Sequence, residues 1–401
     1  MDARGEVAVV TENVQVVRAR LSLAEPHVAR TRQGDAHVPQ GGFIRVIAGK
    51  KSLWGSLGLL VAVGVMLAVS ISAQAQVMPP SHPLSPSAAA VNDPEAPGSV
   101  LVFPKFIKGT VVTVDAETLP MTEIQISVTC PKGSLCAEGT GVTLRARWVC
   151  PGTFTCEEVG FDLFTTVNGT LRFGPSNMTR GPGDPYVPVA PCARGYLIVW
   201  AIDAYGRAIK YDALIGHAII RESPKSAGAY RGIPIQAVST QATGAPTDVN
   251  GNGALDFDGL TEYTAIAGKI FGTVRYEKLT KPVIETSLIL LTLDVKANRP
   301  NDPTFVDLRF YNQDGQVIST STAFTCWAEV RLTDIDGNLD EISQGSRKGL
   351  VESDTAENPA GGFVSLIGLI ETKEHKGTSI RREYILAPYR DRVPIATTFT
   401  P

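Results

Sequence analysis

Gly141-Val142-Thr143-Leu144-Arg145-Ala146-Arg147-Trp148-Val149 sets the fold class, because its apolar side chains fall at every second residue with Thr143, Arg145 and Arg147 between them. A period of two places one row of side chains in a core and the other in water, which is the mark of a half-buried β-strand. The flanking chain repeats the signal. Val306, Leu308 and Phe310 alternate with Asp307 and Arg309. Phe161 to Val167 and Thr170 to Phe173 flank Asn168-Gly169, a pair that predicts a two-residue hairpin.

Further strand candidates are Ser99 to Pro104, Val111 to Val114, Ile124 to Val128, Gly232 to Val238, Ile270 to Tyr276, Gln316 to Thr322, Phe324 to Leu332, Phe363 to Ile370 and Ser379 to Leu386. Pro104 suits an edge strand or a strand end, since proline donates no hydrogen bond to a ladder. Tyr196 to Ile202 and Ala208 to Leu214 flank a turn at Asp203 to Gly206. The first of these is apolar almost throughout and should lie centrally in a sheet, covered on both faces. Ser287 to Val295 is a further candidate, and its Leu288-Ile289-Leu290-Leu291 is the most apolar run after residue 76. No helical period of useful length follows residue 76, and about fourteen short strands with turn signals between them predict an all-β, antiparallel β-sandwich architecture.

Residues 99–240 and 263–390 are read as two sandwich domains joined by an acidic Gly/Asn loop at 241–262, with a tail at 391–401. Residues 76–98, rich in Pro, Ala and Ser, read as an extended linker. Before it, Lys50 and Lys51 precede an uncharged run from Leu53 to Ile71 and the small-residue site Ala73-Gln74-Ala75. That order makes residues 50–75 a signal peptide for Sec-type export, with cleavage after Ala75. The competing reading is a retained single-pass anchor over 53–71, which alone would make the membrane a partner. Residues 1–49 fit poorly as part of a signal and are read as a disordered extension or as lying upstream of the true start.

The 401-residue chain carries 37 Lys and Arg against 40 Asp and Glu, and removing residues 1–75 leaves 29 against 35. The charges are evenly scattered with no basic run, which argues against nucleic acid as a partner. All six cysteines follow the export segment: Cys130, Cys136, Cys150, Cys156, Cys192 and Cys326. An even number in an exported chain points to disulfides. Cys130-Pro131-(x4)-Cys136 and Cys150-Pro151-(x4)-Cys156 form an internal echo, so pairing within each echo and Cys192 with Cys326 is one expectation, and crosswise pairing between the echoes is another. Five intervening residues and an oxidising compartment disfavour zinc.

Asp248, Asn250, Asn252, Ala254 (through its carbonyl), Asp256 and Asp258 follow the oxygen spacing of a calcium loop, with Gly253 at the turn position. Gly259 stands where the bidentate acid belongs, leaving Asp258 or Glu262 to substitute. These residues are the candidate Ca2+ site, weighed against a solvated Asn/Gly turn. A second acidic turn, Asp334 to Glu341, reads first as a hairpin loop. For catalysis the chain offers little: His217 sits in an apolar run and reads as a core histidine, His375 stands alone, and neither a G-x-S-x-G elbow nor an H-E-x-x-H pair occurs. Trp148, Trp200 and Trp327 read as core. Asn168-Gly169-Thr170 and Asn177-Met178-Thr179 fit the glycosylation pattern.

Gly98-Ser99-Val100-Leu101-Val102-Phe103-Pro104-Lys105-Phe106, Pro191-Cys192-Ala193-Arg194-Gly195-Tyr196-Leu197-Ile198, Ile233-Pro234-Ile235-Gln236-Ala237 and Leu255-Asp256-Phe257-Asp258-Gly259 resemble stretches of a group of exported, β-rich bacterial proteins of acidobacterial type. The resemblance implies export and a β-rich fold and supplies no activity. It also weakens the calcium reading, because the L-D-F-D-G piece looks like a strand and turn of the group even where no Asn/Gly loop is present.

The first expectation is thus a secreted or cell-surface protein with a structural or adhesive role and no enzymatic activity, its partner an unidentified surface ligand or protein. The alternatives are a module binding glycan or another surface ligand, with Ca2+ as support, and a carbohydrate-active hydrolase using paired carboxylates.

Overall fold

The structure, a computed structural model, describes residues 90–112, 116–131, 140–152, 156–176, 186–238, 242–275, 284–294, 303–312, 314–335, 348–353, 356–358, 362–376, 379–386 and 394–401. The export segment, residues 1–49, the Asn177 acceptor and Asp336 to Glu341 of the second acidic turn lie outside them.

The described chain is all-β, and the sheets are antiparallel. Its first half runs β1 (Val100–Ile107), β2 (Thr110–Val112), β3 (Thr118–Pro120), β4 (Thr122–Val128), β5 (Gly141–Cys150), β6 (Glu157–Thr166) and β7 (Thr170–Phe173). It continues with β8 (Arg194–Ile202), β9 (Leu214–Ser223), β10 (Ser226–Arg231) and β11 (Ile233–Ile235). A connecting stretch holds β12 (Leu255–Phe257) and β13 (Ile266–Ala267). The second half comprises β14 (Phe271–Arg275), β15 (Ile284–Leu291), β16 (Thr304–Tyr311), β17 (Val317–Phe324), β18 (Trp327–Arg331) and a four-residue helix, α1 (Leu332–Ile335). After it come β19 (Lys348–Ser353), β20 (Ala356–Asn358), β21 (Gly362–Val364), β22 (Ile367–Lys376), β23 (Ser379–Leu386), β24 (Pro394–Ile395) and β25 (Thr397–Phe399).

Four sheets make up the body. Sheet A has the order β11-β1-β8-β5-β6 and sheet B the order β10-β9-β4-β7. Between them lies one core, in which Gly216 of β9 sits so close to β1 that a Cβ would come within 2.7 Å of the Phe103 ring. Sheet C runs β14-β19-β16-β20-β21 with β17 on the other side of β16, and sheet D runs β18-β15-β22-β23. Val306, Leu308 and Phe310 of sheet C share a second core with Leu288, Leu290 and Ile370 of sheet D. The alternate residues of sheet D, Ile289, Leu291, Ile367 and Leu369, belong to the first core. Sheet D is therefore buried on both faces, and that explains why Leu288 to Leu291 is apolar without alternation.

β8 lies in the middle of sheet A with its apolar residues buried, as its composition predicts. Trp148, Trp200 and Trp327 are all buried. Other expectations need correction. Asn168-Gly169 does not close a hairpin, because β6 pairs with β5 in sheet A while β7 pairs with β4 in sheet B. The turn carries the chain from one sheet to the other. Asn168 takes a left-handed φ of 64°, and the turn is pinned to the end of β4 by Asn168 N–H to the Val128 carbonyl and Val128 N–H to the Gly169 carbonyl. Phe324 to Leu332 is not one strand for the same kind of reason: Cys326 has φ 47°, and the chain there leaves sheet C for sheet D. Leu214 to Ser223 and Ser226 to Arg231, a hairpin of sheet B, are missed because Gly and charged residues interrupt their alternation. His217 is exposed on that hairpin beside Gln125 and Arg231, not in the core. β1 is an interior strand despite Pro104, since a bulge between Phe103 and Phe106 spares the ladder the missing donor.

Residues 90–98 are packed against the connecting stretch: Val91 pairs with Ala265, and Ala90 N–H donates to the Gly259 carbonyl at 2.8 Å. The end of the chain joins the same stretch, with Ile395 opposite Ile266 and Phe399 opposite Leu255.

Candidate functional site

Lys105 is the unexpected residue of β1, a lysine with no exposed surface in a strand that is buried throughout. The bulge after Phe103 re-aims it. Phe103 and Phe106 both turn toward sheet B, Phe106 packing edge-on to Trp148 at 5.0 Å, so the extra residue puts Lys105 on the opposite face. There its ammonium lies 2.7 Å from a Glu329 oxygen of β18 and 2.7 Å from a Glu371 oxygen of β22.

The cluster extends around these three groups. Arg194 of β8 reaches the second Glu329 oxygen at 2.8 Å. Arg382 of β23 donates to Glu371 at 2.5 Å and to the Ser226 hydroxyl at 2.8 Å, and it also pairs with Glu222 of β9. Lys373 stands 3.6 Å from Glu371 and 3.5 Å from Glu222. The Tyr384 hydroxyl donates to Glu371 at 2.7 Å, and the Tyr230 hydroxyl donates to the Lys105 carbonyl. Both partners of the Lys105 ammonium come from sheet D, and the other members come from β8 of sheet A, β9 and β10 of sheet B, and β22 and β23 of sheet D, so the cluster is where three sheets meet.

Burial alone would raise the Glu371 carboxyl, but Lys105, Lys373 and Arg382 outweigh it and hold it at about 2. Burial likewise opposes ionisation of Glu222, and Lys373 and Arg382 bring it below its ordinary value. Tyr384 is pushed well up, by burial first and then by Glu371. Glu371 and Glu222 are therefore charged near neutrality, as the cations around them require.

The same seam is closed covalently. Cys156, just ahead of β6, is bonded to Cys326 in the turn between β17 and β18, 170 residues away, and Cys150 at the end of β5 is bonded to Cys192 ahead of β8. Cys130 is disulfide-bonded as well, and Cys136 lies outside the described residues. Pairing within the second echo and between Cys192 and Cys326 is thus replaced by a different connectivity. Cys150 stands opposite Glu157 in the ladder, so Cys156 falls one step out of phase and turns to the other face of the sheet. The neighbouring Trp327 indole donates to the Pro104 carbonyl at 2.7 Å, next to Lys105.

The 248–262 loop is the second place of interest. Asp248 accepts from the N–H groups of Gly251, Asn252 and Gly253, at 2.6, 3.2 and 2.9 Å. Asn250 and Asn252 donate their side-chain amides to one Asp256 oxygen, and the Thr398 hydroxyl donates to the other at 2.6 Å. Glu262, fully buried, accepts from Val249 and Asp256 N–H. Its carboxyl is pushed up to about 7, by burial first and then by Asp256 and Asp248. Asp258 turns away and caps Leu260 and Thr261. The loop thus brings Asp248, Asn250, Asn252 and Asp256 together without Asp258. Among the described residues no group of three His, Cys, Asp or Glu side chains converges on a metal-sized position.

No protein-family model matches this chain. No curated protein matches it either. Among solved structures, the chain is similar to one described as the crystal structure of Thermotoga maritima 1070, at 14% identity over 31% of this chain and 96% of that one, with a TM-score of 0.22.

Of the histidines in the described residues, His217 faces solvent and His375 lies 4.0 Å from Glu285 at a strand surface. The ion cluster was not singled out from sequence, although a signal was present. Lys105 and Glu371 are lone charges inside otherwise apolar strand runs, Val100 to Ile107 and Ile367 to Thr372, and an unpaired charge there would be too costly to keep.

Proposed function

We propose that this chain is an exported, non-enzymatic β-sandwich protein with a structural or adhesive role at the cell surface or outside the cell. The observation that carries the reading is the fastening of the seam, where the Cys156–Cys326 disulfide, the Trp327 indole and the Lys105 cluster all join the two halves. Two disulfides suit an oxidising compartment, and the bridge across 170 residues removes much of the freedom of the unfolded chain. In this reading sheets A and B form one sandwich and sheets C and D the other. Such a body resists proteases and holds its surface fixed, which a passive surface role requires.

The test is the mass of the protein recovered from fractionated host cells, with and without reductant. A species in the extracytoplasmic or membrane fraction that gains mass on reduction is the expected result. A fully reduced protein confined to the cytosol would overturn the proposal, as would a hydrolytic activity mapped to residues of the folded body.

A second reading, Ca2+ at the 248–262 loop supporting a surface-ligand module, is favoured by one observation: the loop gathers Asp248, Asp256 and the buried Glu262, whose carboxyl is raised by burial first and then by the two aspartates. A cation would relieve that crowding once Asn250 and Asn252 turned their amide oxygens toward it. A rise in melting temperature on adding Ca2+ but not Mg2+, lost in Asp248→Asn, supports this reading; no rise ends it.

A further inference from the structure

β17 is an edge strand of an unusual kind. Val317-Ile318-Ser319-Thr320-Ser321-Thr322-Ala323-Phe324 carries no charge, no proline and no glycine. It pairs with β16 residue for residue from Val317↔Tyr311 to Phe324↔Thr304 without a bulge. Exposed edges are normally protected against pairing by lysine, proline, bulges or shortness, and this one, at eight residues, has none of these. Among the described residues its other side bonds to no backbone group.

The direction of its free groups can be worked out. Asn312 N–H donates to the Gln316 carbonyl at the mouth of the hairpin. Antiparallel ladders alternate bonded and non-bonded pairs, so Ile318, Thr320 and Thr322 bond inward to β16. The N–H and carbonyl groups of Val317, Ser319, Ser321 and Ala323 then point away from the sheet.

We propose that this edge is a homodimer interface, in which β17 pairs antiparallel with β17 of a second copy across a two-fold axis at Thr320. A two-fold axis normal to the sheet keeps each face on its own side, so residues of like parity must meet. Centring on Thr320 places Ser319 against Ser321 and Val317 against Ala323, about eight backbone hydrogen bonds in all. Charge selects this register. On the exposed face Arg309 lies beside Ser319, and Asp307 beside Ser321. With the axis at Thr320, the row across the interface reads Glu352, Arg309, Ser319, then Ser321 and Asp307 of the second copy, so Arg309 keeps Glu352 beside it in its own sheet and no charge is aligned with its own copy. An axis at Ser321 would align Asp307 with its own copy, and one at Ser319 would align Arg309 with its own copy. The half-buried Ile318, meanwhile, gains cover from Thr322 of the second copy. The inference goes beyond the proposed surface role and does not depend on it.

The test is sedimentation velocity of the protein as isolated from its host, over roughly 1 to 100 µM, with Ser321→Pro alongside. Proline there deletes an outward N–H and leaves the inward ladder intact, so the expected result is a concentration-dependent dimer whose dissociation constant rises by about thirtyfold in the variant. A monomer throughout the range, or a dimer unaffected by Ser321→Pro, overturns the proposal. Should Ser321→Pro lose its β circular dichroism, cysteine scanning decides. Thr320→Cys, on the axis, forms a covalent dimer on mild oxidation while Ser319→Cys and Ser321→Cys do not; failure of Thr320→Cys to cross-link overturns the register.

Discussion

Replacing Lys105 by methionine tests the seam most directly, because it deletes one charge while keeping the length of the side chain. Lys105 and Glu371 have no exposed side-chain surface, so what remains after the change is a buried carboxylate with one cation fewer. Removing one partner of a buried pair costs about 3–5 kcal/mol. Here the loss falls toward the lower end, because Glu371 keeps Arg382 at 2.5 Å and the Tyr384 hydroxyl at 2.7 Å, and Glu329 keeps Arg194 at 2.8 Å. We expect about 3 kcal/mol at neutral pH, which for a chain of this size is a fall in melting temperature of roughly 5 °C. The sign of the pH dependence follows from Glu371. Its carboxyl is held at about 2, below its unfolded value, so its stabilisation is complete above the unfolded value of 4.5 and is lost as pH falls through about 2. The gap between wild type and Lys105→Met in urea denaturation should therefore be widest at pH 7 and close as pH falls toward 2. A gap below about 1 kcal/mol at pH 7, or one that does not change with pH, would refute the idea that the cluster holds the seam.

Three further outcomes follow from other parts of the body. Cys156→Ser with Cys326→Ser should cost up to about 5 kcal/mol by the chain-entropy model and expose the seam to proteolysis, whereas opening Cys150–Cys192 costs about 4 kcal/mol on the same model because it closes only 42 residues; equal protease sensitivity of the two variants would count against the seam argument. Glu262 is protonated more readily folded than unfolded, so its contribution is greatest below about 4.5 and is lost as pH rises through about 7; Glu262→Gln should flatten the stability profile over that window, and an unchanged slope would show that another group carries it. Asn168→Ala should destabilise by about 1 kcal/mol while Asn168→Gly is neutral or stabilising, because at φ 64° asparagine tolerates the left-handed region better than alanine and glycine has no Cβ to strain; identical thermal melts for the two would remove that explanation.

Strand content was legible because burial on one face writes itself into period-two stretches such as Gly141 to Val149, and burial on both faces into runs such as Leu288 to Leu291. Sheet assignment was not. Asn168-Gly169 has the chemistry of a tight turn wherever it occurs, and only the long-range partners of β6 and β7 reveal that this turn crosses between sheets. Cys326 hides a second crossing of the same sort inside an apolar stretch. The pairings expected within the second echo and between Cys192 and Cys326 fail because spacing along the chain cannot report which face of a ladder a side chain occupies. The ion cluster was harder still, since Lys105 finds its partners 224 and 266 residues away. In the 248–262 loop, by contrast, most of the grouping is local, and Asp248, Asn250, Asn252 and Asp256 do come together. The orientation of Asp258 was not legible, because it depends on the turn at Leu260 and Thr261.

The pairing of residues 90–98 and 394–399 with one connecting stretch has a mechanical consequence. Val91 and Ile395 are anchored at adjacent positions, Ala265 and Ile266. Tension applied between those two points would run through this short clasp and bypass both cores, so it would peel the Val91–Ala265 bridge and the Ile395–Ile266 pair before any of the four large sheets carried strain.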